Sequence, residues 1–356
     1  MKQKVYKNIL IDAIMHLGDL IHATSLIPLL QATYPGCKIS FMVEPGLVKL
    51  FDFIDGVEQV IPYGYKSKGD YLSVYRMGKM LKKYNFDLSI SLDPRLRLSL
   101  MMWFADIPTR VGSRSIFWNK SGLERFFFTD YVDFGNYVCK QHPAAENFQK
   151  LVKLFSNNKN NEFYKPRFAV PTFKDIQYID EQLHSLVDNK AKIAMCVKTV
   201  EATRNWPADK FIALINQIVD KYDAQIVLVG VNSDKDIIET ILNGVEKKNN
   251  VIDIAGKTNL RQLNALFYKM DFLINFDNGM GHFAAAAGCP TLTLFSNALP
   301  LQFRPLHDKT LIVESGLACV QNCTKELRKN CGLKCLEAVT VAKVMDKVDE
   351  MMININ

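Results

Sequence analysis

The sequence predicts an α/β protein made of two doubly wound, Rossmann-like domains facing a central cleft. Three observations predict it. Apolar runs of strand length alternate with helix-length patterned stretches, the signature of parallel sheets covered on both faces. The alternation is broken once, at SNNKNN (156–161) followed by prolines at 166 and 171, a polar and then stiff composition that suits a linker. The chain length of 356 residues is enough for two domains, each burying its own core.

In the first half, strands are expected at 8–13, 38–43, 57–62 and 88–92, with helices at 19–33, 46–53 and 70–83. After the linker come helices at 175–187, 208–222, 233–242 and 259–269, and strands at 192–197, 226–229, 251–253, 272–276 and 291–295. A small-residue helix is expected at 282–287, and a last helix at 339–352. The predicted boundaries are 1–160 for the first domain, 172–336 for the second and 337–356 for a closing helical segment.

Composition excludes several classes. With 48% hydrophobic and 23% charged residues the chain has ordinary globular composition, and no apolar run reaches the roughly 18 residues of a spanning helix. Asp12, His16, Asp19 and His22 interrupt the apolar stretch that a signal peptide would need, so the expected location is the cytoplasm. The net charge of +7 is uneven: residues 1–150 carry 19 Lys+Arg against 14 Asp+Glu. An acidic substrate or an anionic membrane surface facing that half is one reading, and an ordinary basic protein is the other. Nucleic acid is not an expected partner, because no long basic run, reader motif or aromatic–basic interleaving is present.

The richest segment is DFLINFDNGMGHFAAAAGCPTLTLFSNALPLQFRP, residues 271–305. It reads as buried strand, glycine turn, small-residue helix and second buried strand. A bare helix N-terminus after a parallel strand offers free N–H groups and the positive end of the macrodipole to an anion. Gly279 and Gly281 are positioned for close backbone approach to a phosphate-bearing ligand. The run Gly279–Ala284 matches the dinucleotide pattern G-x-G-x-x-A, but no acid lies between Gly279 and His307 to hold a ribose, which removes a nicotinamide enzyme.

Two further segments sit at strand ends. Gly18 and Asp19 follow the first strand, where open α/β sheets bind ligands; Asp19 is either a ligand-facing carboxylate or the cap of its own helix. KTVEATRNWP, 198–207, follows the strand at 192–197, and its Thr199, Thr203 and Arg204 are donors suited to phosphate oxygens. Pro207 suits the start of the next helix.

Together these segments resemble glycosyltransferase family nine, the heptosyltransferase family. The opening strand with its Leu-Gly-Asp turn, the Pro-x-Arg-x-Gly turn ending NFDLSISLDPRLRLSLMMWFADIPTRVG, the element RNWPADKF and the signature DNGMGHFAAAAGCPTLTLF occur in the family's order across nearly the whole chain. The resemblance implies a GT-B fold, an acceptor held mainly by the first domain, and a nucleotide sugar, ADP-heptose in typical members, held by the second. It implies transfer with inversion onto an anionic lipid-linked glycan of lipopolysaccharide-core type, without a required metal or other cofactor. It also implies peripheral contact with the inner membrane surface, and a last helix packed back on the first domain.

By position, Asp19 matches the family's catalytic carboxylate. Arg204 matches a cation on the donor diphosphate, Thr199 a nearby hydroxyl, Thr258 the place beside the adenine, and Asp277 a donor-sugar contact. Asn278, Gly279, Met280, Gly281 and His282 match the diphosphate turn, and Asp234 (or Asp236) lies near the acid expected at the ribose. Asn278 stands where the family has Thr, which exchanges a hydroxyl for an amide. Arg95 and Arg97, with Arg110 and Arg114, are candidate acceptor contacts or solvated surface charges, and the loop 63–70 with Lys66 and Lys68 is a further acceptor candidate. Asp19 is expected to take the acceptor proton, while the helix start and Arg204 neutralise the departing diphosphate. Cys319, Cys323, Cys331 and Cys335 form a C-x3-C-x7-C-x3-C run open to two readings, zinc or iron ligands on the one hand and free thiols or a disulfide pair on the other.

Overall fold

The computed structural model describes residues 4–64, 70–114, 122–135, 137–187, 189–199, 204–324 and 331–355. The candidate loop lysines Lys66 and Lys68, and Thr203, lie outside them. The chain divides into two units, Met1–Pro166 and Arg167–Asn356, so the boundary falls within the proline-bearing segment that follows SNNKNN.

The first unit carries strands β1 (Asn8–Asp12), β2 (Lys38–Val43), β3 (Gln59–Pro62), β4 (Leu88–Ser91), β5 (Thr109–Ser113) and β6 (Asp130–Val132). They form a parallel sheet in the order β3-β2-β1-β4-β5-β6. The strand order reverses between β1 and β4, which makes their carboxyl ends the topological switch point where such sheets bind ligands. Helices α1 (Leu17–Thr24), α2 (Leu26–Thr33), α3 (Tyr71–Leu81), α4 (Leu96–Phe104) and α5 (Ala144–Ser156) connect the strands. The single helix expected at 19–33 is two helices. Pro28 has no N–H for the Thr24 carbonyl and its ring would crowd that oxygen, so the chain breaks at Ser25, whose hydroxyl and N–H both turn back to His22 O.

The second unit repeats the plan. Its strands are β7 (Lys192–Cys196), β8 (Gln225–Val229), β9 (Val251–Asp253), β10 (Phe272–Phe276), β11 (Thr291–Phe295) and β12 (Leu311–Glu314), parallel in the order β12-β11-β10-β7-β8-β9. The switch point here lies between β7 and β10. Helices α6 (Phe173–Gln182), α7 (Ala208–Tyr222), α8 (Lys235–Gly244), α9 (Leu260–Tyr268), α10 (Gly279–Ala286) and the short α11 (Pro300–Phe303) complete it. Strands β8, β10 and β11 are buried at every position, which explains why they read as continuous apolar runs rather than as alternation.

The closing helix Val341–Ile355 belongs to the second unit. Its Val344, Val348 and Met351 lie in the apolar core of the second unit, beside Leu214, Ile218 and Leu294. Polar ties hold it there: Asp349 accepts from Lys221 Nζ (2.6 Å) and from the Tyr222 hydroxyl (2.5 Å) on α7. The indole N–H of the buried Trp206 donates to Val339 O (3.1 Å) just ahead of the helix.

Candidate functional site

At the switch point of the second unit, two chain turns meet. Asp277 follows β10 and is buried; its Oδ2 accepts from Arg204 Nη1 at 2.8 Å, and the same nitrogen reaches Asp277 O at 3.3 Å. Arg204 is held by its neighbours in sequence. Trp206 packs edge-on against Phe211 and against Phe276, the residue that precedes Asp277. Asn205 clamps the loop by accepting Thr199 N–H (2.6 Å) and donating to Thr199 O (3.3 Å). One apolar anchor and one amide clamp therefore bring a guanidinium and a carboxylate together from positions 73 residues apart. Asn205 was not singled out in the sequence, where it reads as a loop residue inside RNWP.

The helix start is not bare. Asn278 adopts an extended backbone as the N-cap of α10, and its Oδ1 accepts from Met280 N (3.0 Å) and Gly281 N (3.4 Å). Asn278 thus supplies the acceptor for two N–H groups of the first turn. The cap is itself braced: Asn275 Nδ2 donates to Asn278 Oδ1 (3.3 Å), and Thr293 Oγ1 donates to Asn275 Oδ1 (3.0 Å). Gly281 has a packing reason of its own. A Cβ there would stand 2.5 Å from Asn275 Nδ2 and 3.0 Å from Pro305 Cγ, so any side chain would break the brace. His282, in the same first turn, is buried, and burial pulls its imidazole down to about 4; it is neutral at physiological pH.

The neighbouring turns of the second sheet hold the remaining candidates. Asp234 is buried after β8 and accepts from Val231 N (2.9 Å), with Lys198 Nζ at 3.5 Å. Thr258 precedes Asn259, the N-cap of α9, in the turn after β9. That turn packs directly on the β8 turn, since a Cβ on Gly256 would fall 2.1 Å from Asn232 Oδ1. Gly256 also needs its positive φ of 72°, so both space and conformation require glycine there. Thr199, Arg204, Asp234, Thr258 and residues 277–282 thus gather at the carboxyl ends of β7 to β10.

In the first unit, Asp19 is the third residue of α1 and is partly exposed. His16 occupies the N-cap, so Asp19 is not the cap residue. A carboxylate in this first turn interacts favourably with the positive end of the helix dipole. The four arginines separate into two kinds. Arg95 stands at the N-cap position of α4 without a side-chain cap and pairs with Asp93 at 2.8 Å, and Arg97 lies in the first turn of the same helix, so both stand at the carboxyl end of β4. Arg110 donates instead to Phe127 O (2.7 Å) and Ile107 O (2.5 Å), and Arg114 to Gly135 O (3.2 Å) and Tyr137 O (3.3 Å). These two brace backbone carbonyls, a structural use.

Asp12, which the sequence leaves without a role, ends β1 beside Ser91 of β4. It is buried, its Oδ2 accepts from the Ser91 hydroxyl at 2.9 Å, and desolvation pushes its carboxyl up to about 7, with Asp93 adding to the rise and Arg95 opposing it.

The C-terminal cysteines lie in the second unit. Cys335 is buried on the short helix Lys334–Glu337, and burial together with the nearby Cys331 and Cys323 thiols raises its own. Among the described residues, no three His, Cys, Asp or Glu side chains stand together as a metal-binding group.

Two parallel sheets of Rossmann order, each with polar residues collected at its switch point, place the molecule in the doubly wound α/β class, here in GT-B form. A solved glycosyltransferase of family 9 from Veillonella parvula DSM 2008 shares the fold over 99% of both chains, with a TM-score of 0.81 at 20% identity. The chain belongs to glycosyltransferase family 9 (heptosyltransferase), whose family model matches residues 74–336; it is a glycosyltransferase. It is 25% identical to lipooligosaccharide heptosyltransferase 2 of Haemophilus influenzae across 97% of this chain and 99% of that protein. The E. coli heptosyltransferase WaaC, solved with ADP-2-deoxy-2-fluoro heptose, covers 96% of this chain and 99% of its own at a TM-score of 0.71 and 16% identity.

Proposed function

We propose that this glycosyltransferase moves a heptose from ADP-heptose, with inversion at the anomeric carbon, onto a lipopolysaccharide-core or related lipid-linked glycan. The observation that carries the reading is the Arg204–Asp277 pair beside the Asn278-capped start of α10. Arg204 and the N-terminal N–H groups of α10 supply fixed positive character for a departing diphosphate, and Asp277 supplies a carboxylate for sugar hydroxyls. The same turn residues match the family signature, and the solved WaaC complex carries an ADP-heptose analogue. Asp234 and Thr258 take the ribose and adenine ends of the donor.

In this reading Asp19 is the general base. It removes the proton of the acceptor hydroxyl as that oxygen attacks the anomeric carbon, and the sugar–phosphate bond breaks with its electron pair going to the ADP phosphate. Arg95 and Arg97 hold anionic groups of the acceptor. Charge neutralisation is assigned to protein groups throughout, so turnover is expected to persist in a chelator. The enzyme works at the cytoplasmic face of the inner membrane.

The deciding experiment offers purified protein ADP-heptose and a panel of nucleotide hexoses, reading thermal shift and release of the nucleotide diphosphate with a core-glycan acceptor. ADP-heptose is expected to give both the largest shift and turnover. Preferential turnover of a nucleotide hexose would replace the heptose reading with a hexosyltransferase or epimerase. Donor binding with no turnover on any core acceptor would point to a nucleotide-binding relative without transfer activity.

A further inference from the structure

The first unit presents a continuous aromatic and basic face that the transfer chemistry does not use. On α3, Tyr71, Leu72 and Tyr75 are exposed at helical spacing, with Arg76 and Lys79 beside them. The Tyr75 ring meets Phe104 edge-on at 5.1 Å, Phe104 meets Trp103 at 5.1 Å, and Trp103 meets Phe127 at 6.1 Å, so the ridge runs from α3 through α4 into the 3-10 turn Leu123–Phe127. On that turn Leu123 is 65% and Phe126 80% exposed. Large apolar side chains grouped this way mark an interaction surface, unlike the single exposed leucines of any protein surface.

The charge along α3 itself is of one sign. Residues 71–84, YLSVYRMGKMLKKY, contain Arg76, Lys79, Lys82 and Lys83 and no acid. Lys79 stands 5.7 Å from the Tyr75 ring centre. Of the acids close in sequence, Asp70 accepts from Ser73 N–H at the start of α3, Asp106 is paired with Lys82, Glu124 is buried with its carboxylate on Gly122 N–H, and the exposed Asp130 accepts from the Thr129 hydroxyl. Tyrosine and tryptophan rings with polar tips, flanked by lysine and arginine, match the headgroup level of a bilayer and the negative potential of anionic lipids.

We propose that this face, α3, the C-terminal end of α4 and the turn Leu123–Phe127, is where the protein docks on an anionic membrane surface. The same α4 that carries Trp103 at one end carries Arg95 and Arg97 at the other, which would set the acceptor candidates within one short helix of the bilayer. The docking face lies within the first unit and does not depend on which sugar is transferred; only its link to the acceptor rests on the reading above.

The test is co-sedimentation of the full chain with phosphatidylethanolamine–phosphatidylglycerol vesicles and with pure phosphatidylcholine vesicles. Binding is expected to the anionic vesicles only and to weaken in high salt. The double variants Leu72→Ser/Phe126→Ser and Arg76→Glu/Lys79→Glu change exposed positions and are expected to fold. Each should lose roughly tenfold or more in vesicle affinity while keeping the donor-induced thermal shift of the unaltered chain. Absence of vesicle binding by the unaltered chain, or undiminished binding by both variants, would overturn the proposal. So would loss of a self-associated state in sedimentation velocity with vesicle binding unchanged, which would make the face a contact between copies.

Discussion

Arg204 and Asp277 share a 2.8 Å ion pair in which both members are largely withdrawn from solvent, and each is delivered by the end of a different strand of the second sheet. The pair couples the loop after β7 to the turn after β10, so neither side chain is expected to act alone. Arg204→Ala would leave a buried carboxylate behind, costing on the order of 2–3 kcal/mol of stability and about a hundredfold in kcat/KM. Arg204→Ala/Asp277→Asn together should cost less stability than the sum of the two single changes. Urea denaturation and initial rates for the double-mutant cycle check this; strict additivity would separate the residues functionally.

Asp19→Asn keeps shape and hydrogen-bonding capacity and removes the basic oxygen. The expected result is a fall in kcat of roughly a hundredfold to ten-thousandfold with the donor-induced thermal shift unchanged. Near-normal turnover would end the assignment of Asp19 as the base.

Trp206→Phe removes the hydrogen bond to Val339 O and thins the packing on Phe276. A loss of about 2 kcal/mol in stability is expected, together with a raised KM for the donor, because the same ring steadies the loop that carries Arg204. An unchanged KM with lowered stability would confine the role of Trp206 to the core.

The two units are expected to respond to pH in opposite directions. Asp12 has a folded pKa of about 7 against an ordinary 3.8, so the folded state binds its proton more tightly and stability is lost as pH rises from about 4 through about 7. His282 has a folded pKa of about 4 against 6.5, so the unfolded state binds its proton more tightly and stability is lost as pH falls through that window. Asp12→Asn should therefore stabilise the first unit at pH 8, by at most about 4 kcal/mol, with the gain vanishing near pH 4. Hydrogen exchange of β1 and β4 amides, followed against pH, reads this, while α10 amides should lose protection in the acid limb. Parallel pH responses in both units would contradict the burial argument.

Much of this architecture is written locally. The segment β10–turn–α10–β11 is legible because two fully buried strands flank Asn278 and a helix of alanines, each a short-range signal. The break between α1 and α2 is equally local, and Pro28 marks it, but the apolar periodicity on either side hides it. Strands β5, β6 and β12 and helices α4 and α5 are harder to read. The stretch LRLSLMMWF, for instance, is apolar on several faces and carries little helical contrast. Long-range polar pairs are not legible at all. The partner of Asp12 is 79 residues away at Ser91, and the guanidinium uses of Arg110 and Arg114 depend on which carbonyls the fold brings to them. The closing helix has a clear amphipathic pattern, yet pattern alone does not say which core receives it.

The Asn278 cap has a consequence for how an anion would be taken up. Because Oδ1 already satisfies Met280 N–H and Gly281 N–H, two donors of the first turn are matched by the chain itself, and a phosphate bound there would exchange one acceptor for another. The affinity gained is then the difference between a charged and a neutral acceptor, not the full worth of two hydrogen bonds. On the proposed reading of this turn, departure of the diphosphate would return these two N–H groups to Asn278 Oδ1 rather than to water, so the site would favour release as well as capture.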